Sequence, residues 1–77
     1  MNELDIYETL DEAMRNSYEV IVNNTDPITL INEGVRIFAH DIQEQVDDEV
    51  IEVITGYFEE IEEYEICSKL KTKQNGI

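Results

Sequence analysis

Asp41-Ile42-Gln43-Glu44-Gln45-Val46-Asp47-Asp48-Glu49-Val50-Ile51-Glu52-Val53-Ile54-Thr55-Gly56-Tyr57-Phe58-Glu59-Glu60-Ile61-Glu62-Glu63-Tyr64-Glu65 decides the fold class. It holds eleven acids, no Lys or Arg, and an apolar series at helical spacing. Ile42, Val46, Val50, Ile54, Tyr57, Ile61 and Tyr64 step by three or four residues. That spacing places them on one side of a helix and leaves the acids to cover the others. Such a stretch buries a stripe and presents a dense anionic surface.

On its N-terminal side the same period continues. Ile28, Ile31, Val35, Phe38, Ile42 and Val46, broadened by Leu30 and Ile37, predict a helix over about 27–46. Asn23-Asn24-Thr25-Asp26-Pro27 punctuates the chain before it. Asn-Asn ends one helix, Asp26 caps the next, and Pro27 takes the first helical position, where its missing donor costs nothing. Gly34 inside this pattern costs roughly 1 kcal/mol relative to Ala. A close helix crossing or a mild kink is expected there, and Gly56 raises the same alternatives. Val46-Asp47-Asp48-Glu49 reads as a tight connection, with Asp47 as cap and acids in the first turn of the third helix. An unbroken helix over 27–57 would be a rod of roughly 45 Å, better suited to a dimer than to a compact monomer. A break is therefore expected. The third helix then spans about 48–70, either straight or bent near 60–62 into a short fourth helix.

At the start of the chain Leu4, Tyr7, Leu10, Met14, Ser17/Tyr18 and Ile21 recur at helical spacing, with Ile6 and Ala13 widening the stripe. Residues 18–22 carry strand-forming side chains, but a single strand finds no second one in the chain to pair with. The first helix is therefore extended to about Val22. The expected fold is all-α: a small bundle of three main helices, with a short fourth C-terminal helix as the variant. Its expected core is Leu10, Met14, Ile31, Val35, Phe38, Ile42, Val50, Ile54, Tyr57 and Ile61. Residues 1–71 form one helical domain and 72–77 a flexible C-terminal tail.

At 77 residues the chain is near the lower limit for a core without staples. Its one cysteine excludes an internal disulfide and a four-cysteine zinc site, and suits a reducing cytoplasm. Apolar residues on several faces of the second and third helices predict self-association as a homodimer. No apolar run approaches the ~20 residues that span a bilayer, and Met1-Asn2-Glu3 lacks a basic leader, so a cytoplasmic protein without membrane contact is expected. On that footing the glycosylation sequon Asn23-Asn24-Thr25 is chance. A net charge of −14 repels nucleic acid and anionic lipid and favours a basic protein partner.

Catalytic and metal-binding patterns fail on residue type. His40 is the sole histidine; with Glu44 four residues on it supplies two ligands, too few for a metal centre. In a helix it would be a surface residue one turn from Arg36 and Glu44. Cys67 has no His–Asn or His–Asp set beside it and reads as a small apolar filler. Glu49-x-x-Glu52 and Glu59-x-x-Glu62 have the internal spacing of the magnesium-holding pairs of all-helical nucleotide pyrophosphatases. They lie too close along one helix to face each other, and no basic cluster accompanies them. No enzyme activity and no cofactor are expected.

Tyr57–Leu70 resembles the helical hairpin at the ends of the UvrB and UvrC repair proteins, where an aromatic-acidic turn precedes a short helix. Cys67 and Ser68 replace that family's small alanines, and Lys69-Leu70 departs from its Leu-Arg-Asp run, so no repair function is carried over.

The anionic surface is the remaining signal. Asp48/Glu52, Glu59/Glu63 and Glu62/Glu65 are like-charged neighbours three or four apart, each costing a helix roughly 0.2–0.5 kcal/mol, with no Lys interspersed. Carboxylates one turn apart are spaced ~5–6 Å along a helix, comparable to successive phosphates. In size, charge and helicity the chain resembles the small acidic inhibitors that bacteriophages encode against host nucleic-acid-binding proteins. The resemblance implies an inhibitor acting by nucleic-acid mimicry, with Asp41, Glu44, Asp48, Glu49, Glu52, Glu59, Glu60, Glu62, Glu63 and Glu65 meeting a basic partner. The alternative is a helical adaptor or dimerisation module that binds through its apolar side, with the acids serving solubility.

Overall fold

A computed structural model describes residues 3–75, with side chains described for residues 8–74. The chain forms four helices: α1 (Glu3–Ile21), α2 (Pro27–Asn32), α3 (Asp48–Glu60) and α4 (Tyr64–Asn75). Among the described residues there is no strand, so the expected all-α bundle with its fourth helix is the observed fold. Residues 18–21, despite their strand-forming side chains, complete α1. The side chains of Leu4, Ile6 and Tyr7 lie outside the described residues, as do Gly76 and Ile77 of the expected tail. Residues 72–75, also expected as tail, belong to α4.

The starts of α2 and α3 follow the residues expected for them. Asp26 Oδ1 accepts from the Ile28 N–H at 2.9 Å and Pro27 opens α2, while Asp47 Oδ1 accepts from the Val50 N–H at 3.0 Å to open α3. Helix ends depend on backbone in the left-handed region. After α1, Asn24 adopts φ 57°, a conformation its short polar side chain tolerates.

Gly34, at φ 105°, lies just past the end of α2. Its N–H reaches the Ile31 carbonyl at 3.0 Å, and the next N–H, of Val35, reaches the Leu30 carbonyl at 2.9 Å. These paired backward bonds close a helix and are favoured by glycine. This corrects the predicted helix over 27–46: Gly34 neither kinks a helix nor admits a crossing, but stops α2 at Asn32. No atom lies within 4 Å of a Cβ built at Gly34 or Gly56, so neither glycine serves a close approach. The same closure ends α3, with Glu62 N–H to the Glu59 carbonyl at 3.1 Å and Glu63 N–H to the Phe58 carbonyl at 2.9 Å. Here the left-handed position, φ 63°, is held by Glu62. A non-glycine there costs roughly 1–2 kcal/mol.

α3 and α4 pack as a hairpin about residues 61–63, and α1 lies against both. The core is Met14 and Ile21 of α1, Ile51, Ile54 and Phe58 of α3, and Cys67 and Leu70 of α4, with Ala13 also buried. Phe58 is fully buried, its ring edge-on to Tyr18 at 6.3 Å and to Tyr57 at 5.1 Å. Thr55 is buried as well and bonds its hydroxyl to the Ile51 carbonyl at 2.7 Å.

Of the expected core, Met14 and Ile54 are buried, while Val35, Phe38, Ile42, Val50 and Tyr57 are half-buried. Leu10, Ile31 and Ile61 are exposed at 40–43%. The cause is phase. The expected stripe Val46–Val50–Ile54–Tyr57–Ile61 keeps the register of the preceding segment, but α3 begins afresh at Asp48. It therefore turns Ile51, Thr55 and Phe58 inward beside Ile54.

Residues 33–47 cross from α2 to α3 without helix, held to α1 by polar bonds. Asn16 Nδ2 donates to the Ile37 carbonyl at 3.0 Å, and the Ala39 N–H donates to Ser17 Oγ at 2.7 Å. Ser17 Oγ also shares a 2.7 Å hydrogen bond with His40 Nδ1. Ser17 is fully buried, so this loop closes over α1 with the serine beneath it.

Candidate partner-binding surface

The ten acids predicted to meet a partner are all exposed. They do not lie on one rod. Asp41 and Glu44 belong to the loop, where Asp41 Oδ1 accepts from the Gln43 N–H at 2.9 Å and shapes a turn. Glu62 and Glu63 form the α3–α4 turn, and Glu65 lies in the first turn of α4. The structure gathers Asp48, Glu49, Glu52, Glu59 and Glu60 on α3.

At about 100° per residue, Asp48, Glu52 and Glu59 fall nearly in line, with Glu49 and Glu60 beside them. The line lies about a quarter-turn round the helix from the buried side of Ile51, Ile54, Thr55 and Phe58, and so borders it. The axial steps are about 6 Å from Asp48 to Glu52 and about 10 Å from Glu52 to Glu59. Asp48 and Glu49 also sit where carboxylates suit the helix dipole, so part of this surface supports the helix that carries it.

Two acids meet cations at the edges of the surface. Lys71 Nζ of α4 is 4.0 Å from Glu59, and Arg15 Nη2 of α1 is 3.8 Å from Glu63. Both pairs are exposed and contribute little to stability. They change the sequence-based picture, in which Glu59 and Glu63 had only each other.

A groove runs between α1 and the C-terminal half of α3, with Leu10, Tyr57 and Ile61 as its apolar lining and Glu8, Asp11 and Glu12 along it. Asp11 organises one wall. Tyr57 Oη donates to Asp11 Oδ1 at 2.6 Å and Arg15 Nε donates to Asp11 Oδ2 at 2.8 Å. The Arg15 guanidinium stands 5.5 Å from the centre of the Phe58 ring, a cation–π arrangement. The Tyr57 hydrogen bond, helped by Arg15, holds the Asp11 carboxyl below its ordinary range. Burial and Asp11 together push the Tyr57 hydroxyl up to about 12. The bond to Asp11 raises Arg15 in turn. The i, i+4 pair Asp11–Arg15 is visible in the sequence; its link to Tyr57, 46 residues away, is not.

His40 is not the helix-surface residue expected from Arg36 and Glu44, because residues 36–44 are not helical. It is half-buried against Ser17, and burial lowers its pKa despite the opposing pull of Asp41. A serine beside a histidine suggests nucleophile activation, but here Ser17 Oγ is fully buried and holds the loop, so no substrate reaches it.

Cys67, 4% exposed, donates to the Thr55 carbonyl at 3.6 Å. Burial and the neighbouring Glu59 push its thiol up, as befits a packed residue. Among the described residues no group of three or more His, Cys, Asp or Glu converges as a metal-ligand set would. Among the same residues no helix is long and apolar enough to cross a membrane.

Comparisons with known protein families, curated proteins and solved structures gave no match to this chain.

Proposed function

We propose that this protein binds a cationic surface of another protein through the acid-bearing side of α3 and the α3–α4 turn, and inhibits it by covering a surface that would otherwise meet nucleic acid. The observation that carries this reading is the line Asp48–Glu52–Glu59 with Glu49 and Glu60 beside it, all exposed, on a helix without Lys or Arg. α3 itself is about 20 Å long, so mimicry of a phosphate strand is confined to that length. A second reading, the helical adaptor, is favoured by the groove in which Leu10 and Ile61 remain 40% and 43% exposed.

The test is capture of the partner by the purified protein, then salt titration and competition with duplex DNA. The acidic reading expects binding to weaken steeply with salt, to be displaced by DNA, and to be lost in Glu52→Lys/Glu60→Lys. Those two positions are chosen over Glu59 and Glu63, which already sit beside Lys71 and Arg15. Glu60→Lys also places a cation in the last turn of α3, where the dipole favours it. Binding that ignores both salt and the double reversal refutes the acidic reading.

A further inference from the structure

Leu10 continues the buried stripe of α1 one turn before Ala13 and Met14, yet it is 40% exposed. Ile61 caps α3 and is 43% exposed, and Tyr57 lines the same groove. α1 thus extends its apolar side beyond the helices that cover the rest of it.

The charge around this apolar floor is mostly negative. Glu8, Asp11 and Glu12 stand along α1, and Arg15, the one cation of the groove among the described residues, is engaged by Asp11 and approached by Glu63. On the opposite side Glu60 lies three residues beyond Tyr57 and so borders it on the helix surface. Around the α3 axis Glu60 thus stands between Tyr57 and the acidic line, which lies on the far side of the helix from the groove. A second copy of this chain, with its own charge of −14, brings like charge to such a rim.

We infer that the groove between α1 and α3 is the docking site for a basic amphipathic helix of the partner, whose apolar residues seat on Leu10, Tyr57 and Ile61 while its Lys or Arg meet Glu8, Glu12 and Glu60. This rests on the reading of the partner as cationic and adds the location and the shape of its segment. The groove flanks two turns of α1, about 10–12 Å. It therefore takes a pair of apolar side chains three or four residues apart, with cations flanking them.

The probe is a fluorescently labelled Lys/Leu peptide of roughly 18 residues with its leucines at helical spacing, beside a scrambled peptide of identical composition and a Glu/Leu counterpart. Anisotropy titration and amide shifts are read on the intact protein. The expected result is that the amphipathic Lys/Leu peptide binds roughly tenfold or more tighter than the scrambled one, with shifts at residues 8–15 and 57–61. Leu10→Ser and the milder Glu8→Gln/Glu12→Gln should each weaken it while circular dichroism stays unchanged.

Equal binding of the ordered and scrambled peptides, with shifts on Asp48–Glu60 only, overturns the groove and leaves the acidic surface standing. Binding of the Glu/Leu peptide as tightly as the Lys/Leu peptide overturns the charge argument for both. A dimer in sedimentation that Leu10→Ser dissolves assigns the groove to a second copy and overturns the inference. Absence of binding by every peptide does so too.

Discussion

Replacing Ser17 with Ala should release the loop of residues 33–47 from α1. The hydroxyl is fully buried and makes two 2.7 Å bonds, accepting from the Ala39 N–H and pairing with His40 Nδ1. Each is worth about 0.5–1.5 kcal/mol net. Ala39 is exposed and His40 half-buried, so water replaces part of what is lost. The expected cost is therefore about 1–2 kcal/mol, or about 5–15 °C in Tm for a chain of this size. Thermal melts followed by circular dichroism give the stability change. Amide exchange at Ala39 and an NMR titration of His40 locate it.

In the native protein burial holds His40 below its ordinary value of 6.5. The unfolded chain then binds a proton more readily than the folded one. The stability His40 contributes is complete above about pH 6.5 and is lost as pH falls through the lower folded value. With the loop undocked in the variant, His40 should titrate near 6.5 and this part of the pH dependence should vanish. An unchanged His40 titration with unchanged exchange at Ala39 would refute the idea that Ser17 is what holds the loop.

Glu62→Gly should stabilise by about 0.5–1 kcal/mol, because it removes a left-handed non-glycine from the end of α3. Gly34→Ala should destabilise by about 1 kcal/mol or more for the converse reason; urea unfolding of both decides, and effects of the same sign would contradict the helix-end geometry. Cys67 should react with a thiol reagent in the native protein far more slowly than in urea, and a native rate matching that of a free thiol would show that α4 does not pack its Cys67 side against α3. Tyr57→Phe should raise the Asp11 pKa toward 3.8 by removing the bond that lowers it most. In the native protein Tyr57 contributes stability fully below its ordinary value of 10 and loses it as pH rises through about 12. The Phe variant should lack that alkaline loss, and an identical alkaline profile would remove Tyr57 from the account.

The parts of the fold that depend on a single residue's chemistry were legible in the sequence. Asp26 with Pro27 and Asp47 as a cap belong to that kind, whereas the bend near Glu60–Glu62 stands in the sequence only as an alternative to a straight helix and is made by a left-handed Glu62 that its residue type does not signal. What misled was the periodicity of Val35, Phe38, Ile42 and Val46, which fits a helix as well as any in the chain. Gly34 overrides it, because the left-handed turn it permits returns two N–H groups onto α2 and sends the chain off the axis. Once that helix ends, the phase of α3 can no longer be read through from the residues before it, and Phe58 replaces Tyr57 at the centre of the core. The exposure of the acids could be read from their spacing alone. The groove could not, since it exists only where α1 outruns its cover, and neither could the contact between Ser17 and His40, 23 residues apart.

The order of packing has a consequence for synthesis on the ribosome. α3 and α4 meet across three residues, so their pairing is local and quick. α1 is made before either, and the α3 and α4 partners of Met14 and Ile21 emerge after it. During that interval α1 lacks the apolar surface of α3 and α4. The part of the loop that carries Ala39 and His40, which bonds to Ser17, emerges before α3 and α4. Polar bonds are thus among the first tertiary contacts open to α1, and the nascent chain is most exposed to aggregation or to chaperones just before the α3–α4 hairpin closes.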